Sequence, residues 1–374
     1  MSGLKPKTEV ILLPNQWLTS QERQVALTML FSPQERKTLQ SYQQITQKLF
    51  AQAQAIIVDL VKPDGYLGDT IRDSRLTGVL NLHYPGKKIF ELSRYPSLLG
   101  KHRFVTQLKT ARGKINLKYR ETQDAPEQEE TFATDQIVKV SSLFNGELPP
   151  VFFHQKPGNG ITFKNLNLHH VYRQQIVWEI IYNISDLASL PPPSVKISQA
   201  DITAAQQIYQ ALIKSQDSLN FVIHPDAHSN HFEEKKWPVE KWIGLIRQLI
   251  QQYQPNIFLS TGADHPQVSQ EIYQRCTQEQ LPVTLIPSLP LAQYAGFLMN
   301  FPKKTLVFVG LESMAGSHLA PGLGIKSTVI GASKLFEPSV FGPFGGIVVQ
   351  NNQSTAASIP VEAVVQAIEI IKEI

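Results

Sequence analysis

The chain has 374 residues, 42% hydrophobic and 18% charged, which is the length of two domains with enough apolar content for ordinary cores. Its formal charge of +4 comes without a long Lys/Arg block, which argues against a nucleic-acid partner and leaves an anionic substrate or a loose membrane-surface contact open. One cysteine, Cys276, excludes an internal disulfide. No stretch reaches the roughly 18 apolar residues of a membrane span, and the N-terminus lacks a signal-peptide pattern, so a cytoplasmic protein is expected.

Residues 1–50 read as an extension, mainly helical. Val10–Leu13 is a short apolar run closed by Pro14. Ser20–Ala53 is Gln-rich and reads as one or two helices with a break near Ser32-Pro33, carrying Leu39, Tyr42, Ile45 and Leu49 at helical spacing. Ala55–Val61 is the first buried strand. The loop KPDGYLGDTI follows, then a helix over Arg72–Leu82, a turn at Tyr84-Pro85-Gly86 and a strand over Lys88–Leu92. Further strands are expected at 104–108, 115–119, 137–140 and 151–153, with the glutamate-rich stretch Glu121–Glu130 as a solvated loop. A helix is expected over Val171–Ile184. Pro191–Pro193 is stiff and extended, and the domain boundary is placed there, giving domains 51–190 and 191–374.

The second half alternates strand and helix strictly. Strands are expected at 220–224, 256–260, 283–286, 306–309, 327–330 and 347–349. Helices are expected at 201–215, 238–251, 267–279, 291–299, 317–323 and 361–371, with Pro238 at a first helical position. Cys276 falls in one of these helices, where a bystander thiol is expected. The unit LVFVGLESMAGSHLAPGLGIKSTVIGAS combines a buried strand, a small-residue loop and a short helix with His318 in its first turn. Helix starts of this kind favour anions. The fold class is α/β: two Rossmann-like, doubly wound domains facing a cleft.

Several segments together resemble glycosyltransferase family nine, the lipopolysaccharide heptosyltransferases of GT-B architecture. FVIHPDAHSNHFEEKKWPVEKWIGLIRQLI resembles the start of that family's second domain, and IFLSTGA its strand ending in Thr-Gly-Gly. MAGSHLAPGLGIKSTVIGAS and FGPFG resemble its later loop, helix and closing segment. In the first half GYLGDTI with YPGKKI, and His170-Val171-Tyr172-Arg173, are similar to family features. The resemblance spans roughly 55–371 and leaves 1–50 outside it.

The resemblance implies a nucleotide-diphosphate sugar donor held by the second domain. Lys235, just before Trp237-Pro238, matches a phosphate-contacting lysine, with Lys236 the neighbouring candidate. His224 either touches the ligand or fixes its own loop. Thr261 and Gly262 stand at the next strand end, and Glu312, Ser313, Met314, Ala315, Gly316 and His318 would complete a diphosphate cradle. Asp69 is the candidate general base for an acceptor hydroxyl, or else a helix cap. Asp64, Asp73 and Glu312 are the other carboxylates available, and Arg72 and Arg75 could bind an anionic acceptor. Ser313 stands where the family usually has Asp, so either Glu312 substitutes or a sugar contact is lost. His-Pro-Asp at 224–226 replaces the more usual His-Pro-Gly.

The expectation is therefore a glycosyltransferase, inverting and metal-independent, without a cofactor beyond the nucleotide sugar and with a glycan, lipid or other acceptor. An epimerase of the same architecture, or a non-catalytic binding protein on a transferase scaffold, are the alternatives.

Overall fold

The computed structural model describes residues 8–13, 18–30, 32–59, 75–93, 103–121, 125–141, 175, 179, 195, 197–213, 218–227, 232–262, 265–313, 315–332, 342–351 and 355–373. In chain order the strands are β1 (Thr8–Leu12), β2 (Ala55–Asp59), β3 (Lys88–Leu92), β4 (Arg103–Ala111), β5 (Lys114–Arg120), β6 (Gln128–Ala133) and β7 (Ile137–Ser141). Then come β8 (Asn220–His224), β9 (Asn256–Ser260), β10 (Val283–Ile286), β11 (Leu306–Leu311), β12 (Lys326–Ala332) and β13 (Ile347–Asn351). The chain folds as two compact units, 1–15 with 197–374, and 16–196. Each carries one sheet, and the expected fold class of two Rossmann-like α/β units is what forms. The expected strand at 151–153 and most of the helix at 171–184 lie outside the described residues.

The sheet of the unit holding the C-terminus runs β1-β13-β12-β11-β8-β9-β10. From β8 to β13 all neighbours are parallel. Their sequences are nearly continuous apolar runs because helices cover both faces of such a sheet, and β11 is buried at all six positions. The Val239–Tyr253 helix shows how the pattern is cashed into packing: Trp242, Leu245, Ile246 and Leu249 recur at three- and four-residue spacing, and all are fully buried. Trp237 meets Trp242 edge to face at 4.8 Å, and its indole N–H donates to the Ile359 carbonyl at 2.9 Å. Pro238 caps this helix from an extended conformation rather than occupying its first turn.

The chain winds outward from β8 through β9 and β10, then crosses back to β11 and winds the other way through β12 and β13. The carboxyl ends of β8 and β11 are therefore the topological switch point, the place where such sheets leave a crevice for a ligand. His224 and Gly310 are register partners there. A side chain added at Gly310 would stand 2.9 Å from the His224 carbonyl, so the two strand ends meet this closely only through glycine.

Residues 1–50, expected as one extension, divide between the units. β1 pairs antiparallel with β13, from Thr8 opposite Asn351 to Leu12 opposite Ile347, and buries Leu13 beside Val329 and Val348. The helices Ser20–Leu30 and Pro33–Gln52, separated at Ser32-Pro33, belong to the other unit. Leu18 is tied to Gln175 by a pair of hydrogen bonds, each 3.0 Å, and Phe50 packs edge to face on Tyr84.

The second sheet runs β6-β5-β4-β3-β2-β7, parallel through β7, β2 and β3 and antiparallel from β4 to β6. The expectation of a solvated loop over 121–130 is corrected by β6. Glu130 lies in strand because its charge is matched by Lys88 at 2.8 Å and by the Tyr119 hydroxyl at 2.8 Å. Arg112 and Gly113 make the two-residue turn between β4 and β5, both with positive φ, 48° and 75°, a type I′ geometry.

Candidate active site

Among the sequence candidates, the structure brings Lys235 and Glu312 directly together. Lys235 ends the short helix Phe232–Lys235, where the buried Trp237 fixes the chain just beyond it. Glu312 follows β11, its N–H held by the Ile330 carbonyl at 2.8 Å. Their ammonium and carboxylate form an ion pair with side chains only 15% and 19% exposed. The site thus gathers β8, β11 and the Lys235 helix at one strand edge. Lys236 is half-buried beside it.

His224 closes β8. Its Nδ1 lies 3.1 Å from the Ser260 hydroxyl at the end of β9, so the ring links two strand ends. Loss of hydration holds the imidazole below its ordinary value, opposed by the Asp226 carboxylate. The ring also packs between Phe308 and Tyr294, with centroids at 6.0 Å and 6.4 Å. Burial pushes the Tyr294 hydroxyl well above the usual phenol range.

Asp226 is a residue whose part the sequence reading missed. It is 3% exposed, and its carboxylate accepts from its neighbour Ala227 N–H at 2.9 Å and from His265 N–H at 3.2 Å. His265 caps the Pro266–Gln278 helix, so Asp226 is an internal anion at that helix start. Gly262 lies beneath it: a Cβ there would be 1.7 Å from Asp226 Oδ2. Gly262 therefore leaves room for an internal carboxylate. Asp in place of Gly at 226 was the signal that could have found it. Thr261 donates to the Ile286 carbonyl at 3.1 Å and ties β9 to β10.

The loop after β11 differs from the expected short helix over 317–323. It forms a π-type turn over Ala315–Leu319, followed by one α turn to Gly322, so His318 stands near its end rather than in a first turn. Ser313 caps it twice: its hydroxyl accepts from Gly316 N–H at 3.4 Å and its carbonyl from Ser317 N–H at 2.9 Å. One N–H of the expected cradle, that of Gly316, is thus engaged by Ser313 itself. Serine keeps here the capping chemistry an aspartate would provide. Gly316 is held close: an added Cβ would lie 3.2 Å from both the Leu311 carbonyl and Val329 Cγ2. Met314, Asp64, Asp69, Arg72 and Asp73 lie outside the described residues. Arg75 opens the Arg75–His83 helix, with its side chain outside the description. Cys276 is buried, and its thiol is pushed up to about 11, which removes it as a nucleophile. Among the described residues no group of three or more His, Cys, Asp or Glu is placed to hold a metal ion.

Residues 153–329 match the family model Glycosyltransferase family 9 (heptosyltransferase). That span, a little under half of the chain, is similar to the family 9 glycosyltransferases. The matched span contains His224, Lys235, Asp226, Gly262 and Glu312, and leaves Asp69, Arg72 and Arg75 outside. No curated protein sequence matches the chain. Among solved structures, a family 9 glycosyl transferase from Veillonella parvula DSM 2008 is similar over 86% of this chain and 97% of its own, at 12% identity and a TM-score of 0.60. The E. coli ADP-heptose lps heptosyltransferase II is similar over 86% of this chain and 98% of its own, at 12% identity and a TM-score of 0.50. At such identities the likeness is one of fold, and the fold is GT-B.

Proposed function

We propose that this glycosyltransferase takes its sugar from a nucleotide-diphosphate donor held at the β8/β11 strand edge, with the Lys235 ammonium on the diphosphate. The observation that carries this reading is the Lys235–Glu312 pair at the switch point. A partly buried lysine held by one carboxylate is preorganised, and a diphosphate offers it a stronger anionic partner. Glu312 keeps the ammonium in place until the donor arrives.

Transfer is a single displacement with inversion. The acceptor hydroxyl oxygen bonds to the anomeric carbon, the bond from that carbon to the diphosphate oxygen breaks, and Asp69 takes the hydroxyl proton. Lys235 stabilises the leaving nucleoside diphosphate, in place of a divalent cation. The division into an acceptor domain over 51–190 and a donor domain over 191–374, with Arg72 and Arg75 on an anionic glycan or lipid acceptor, completes the proposal.

The test is sugar transfer and donor hydrolysis by purified protein over a panel of nucleotide sugars. Lys235→Ala is expected to lower kcat/KM by roughly 100- to 1000-fold, as loss of a charged leaving-group contact does. Glu312→Gln is expected to raise the donor KM about tenfold with a smaller change in kcat. Undiminished transfer by Lys235→Ala would remove this donor site. Interconversion of a free donor with no acceptor present would replace transfer by epimerisation.

A further inference from the structure

The β4–β5 hairpin carries Lys109, Arg112 and Lys114 at its outer end, and all three are exposed. In the antiparallel register Ala111 faces Lys114 and Lys109 faces Asn116, which places Lys109 and Lys114 on one face as diagonal neighbours around the Arg112–Gly113 turn. From Arg103 to Arg120 there are six Lys/Arg and no Asp or Glu. The acids of this sheet engage the hairpin's other end: Arg103 pairs with Glu121, and Lys118 with Glu127. Among the described residues no ion pair joins Lys109, Arg112 or Lys114 to an acid. The exposed acid that the fold brings toward the tip is Asp135, next to Thr134, whose N–H donates to the Gly113 carbonyl at 3.0 Å.

A second observation is independent of charge. Arg112 has φ +48°, in the left-handed region that a two-residue hairpin turn normally gives to Asn, Asp or Gly. The sequence places a guanidinium at the outermost point of the hairpin against the local backbone preference. Such a conflict between local rule and observed residue is where function is expected. The tip is also well held, through the Thr134–Gly113 bond and through Ile115, Leu117 and Tyr119 buried on the inner face.

We infer that this tip docks the enzyme on an anionic lipid surface. Three cations on a convex, rigid turn fit a flat field of negative headgroups. A nucleic-acid strand needs a groove and stacking aromatics, and the exposed residues Lys109–Lys114 hold neither. No large apolar side chain stands at the tip, so the contact is electrostatic, reversible and salt-sensitive. The inference does not depend on the donor site, because vesicle binding needs no turnover.

The test is cosedimentation of the full chain with vesicles of phosphatidylcholine containing one-third phosphatidylglycerol, and with phosphatidylcholine alone. Binding is expected to the anionic vesicles only and to be released by high salt. Replacing the three cations together (K109Q, R112N, K114Q) is expected to cut partitioning by about 100-fold. Arg112→Asn alone is expected to cut it roughly fivefold while leaving the melting temperature equal or higher, a combination that a purely structural role for Arg112 would not produce. Equal binding to both vesicles, anionic binding unchanged in the triple variant, or retention on single-stranded DNA without vesicle binding would each overturn it.

Discussion

Gly262 and Asp226 form a contact that can be tested by its own failure. A methyl group at 262 would overlap the carboxylate, whose Cγ lies 2.2 Å from the added atom. Gly262→Ala is expected to destabilise the protein by about 2–3 kcal/mol, as overpacking against a buried group does. Asp226→Ala removes the carboxylate and two backbone bonds, at about 1–3 kcal/mol. In the double variant the methyl group has room, so the two costs should fall short of additivity by about 2 kcal/mol. Simple additivity in urea melts would refute the contact. Glu91 supplies a second residue-level prediction. It is fully buried on β3, accepts from the Thr77 hydroxyl at 2.7 Å, and is pushed up to about 8 by loss of hydration. The folded carboxyl then holds its proton where the unfolded one, at 4.5, has lost it. Its contribution is therefore full below the unfolded pKa and is lost as pH rises toward the folded one, at up to about 1.4 kcal/mol per pH unit. Glu91→Gln should gain stability over wild type progressively across that window and stop gaining above it. Parallel stability curves for the two proteins would show Glu91 ionised in the fold. Neither feature was legible in the sequence: a close approach across two loops, and a carboxyl made neutral by its surroundings, are properties of three dimensions. Lys235 was legible, because Trp237-Pro238 gives it a context, but its pairing with Glu312 joins two segments far apart in the chain.

At the scale of elements, sequence and structure agree best where one force dominates. β8, β9 and β11 are apolar runs between Gly, Pro and polar breakers, and helices must cover them, so their positions follow from composition alone. β6 was misread because its glutamates depend on Lys88 and Tyr119, partners outside the local window. The π-type turn at Ala315–Leu319 escaped for a related reason: π and α turns share residue preferences, and what separates them here is the packing of Gly316 between Leu311 and Val329. β1 was read as an apolar run, yet nothing local says that it will join a strand more than 330 residues away. Its contribution can be measured. Removal of residues 1–13 exposes the edge of β13 and loses the burial of Val10, Ile11 and Leu13. A loss of about 3 kcal/mol is expected, roughly 6–12 °C in the melting of that unit, together with concentration-dependent aggregation through the bare edge. An unchanged melting temperature and monodisperse protein would make β1 an ornament on the sheet.

At the scale of the whole molecule the chain passes between its two compact units twice, after residue 15 and after residue 196. The unit with the C-terminus therefore has its first strand supplied from the far end of the chain, and the proposed donor site lies wholly within it. This separates ligand effects by unit. Trp237 and Trp242 are both fully buried there, in edge-to-face contact, while Trp17 and Trp178 fall in the other unit. In a protein with Trp17 and Trp178 replaced by Phe, indole fluorescence reports the unit with the donor site alone. A nucleotide-diphosphate sugar at about 100 times its Kd should stabilise that unit by about 2.7 kcal/mol and raise the fluorescence midpoint by roughly 5–10 °C. Lys235→Ala should abolish the shift without moving the midpoint of the free protein by more than a degree or two, since a partly exposed ion pair contributes little to stability. A donor that shifts the calorimetric transition of the other unit, while the indole signal melts unchanged, would place the nucleotide elsewhere and overturn the assignment of Lys235.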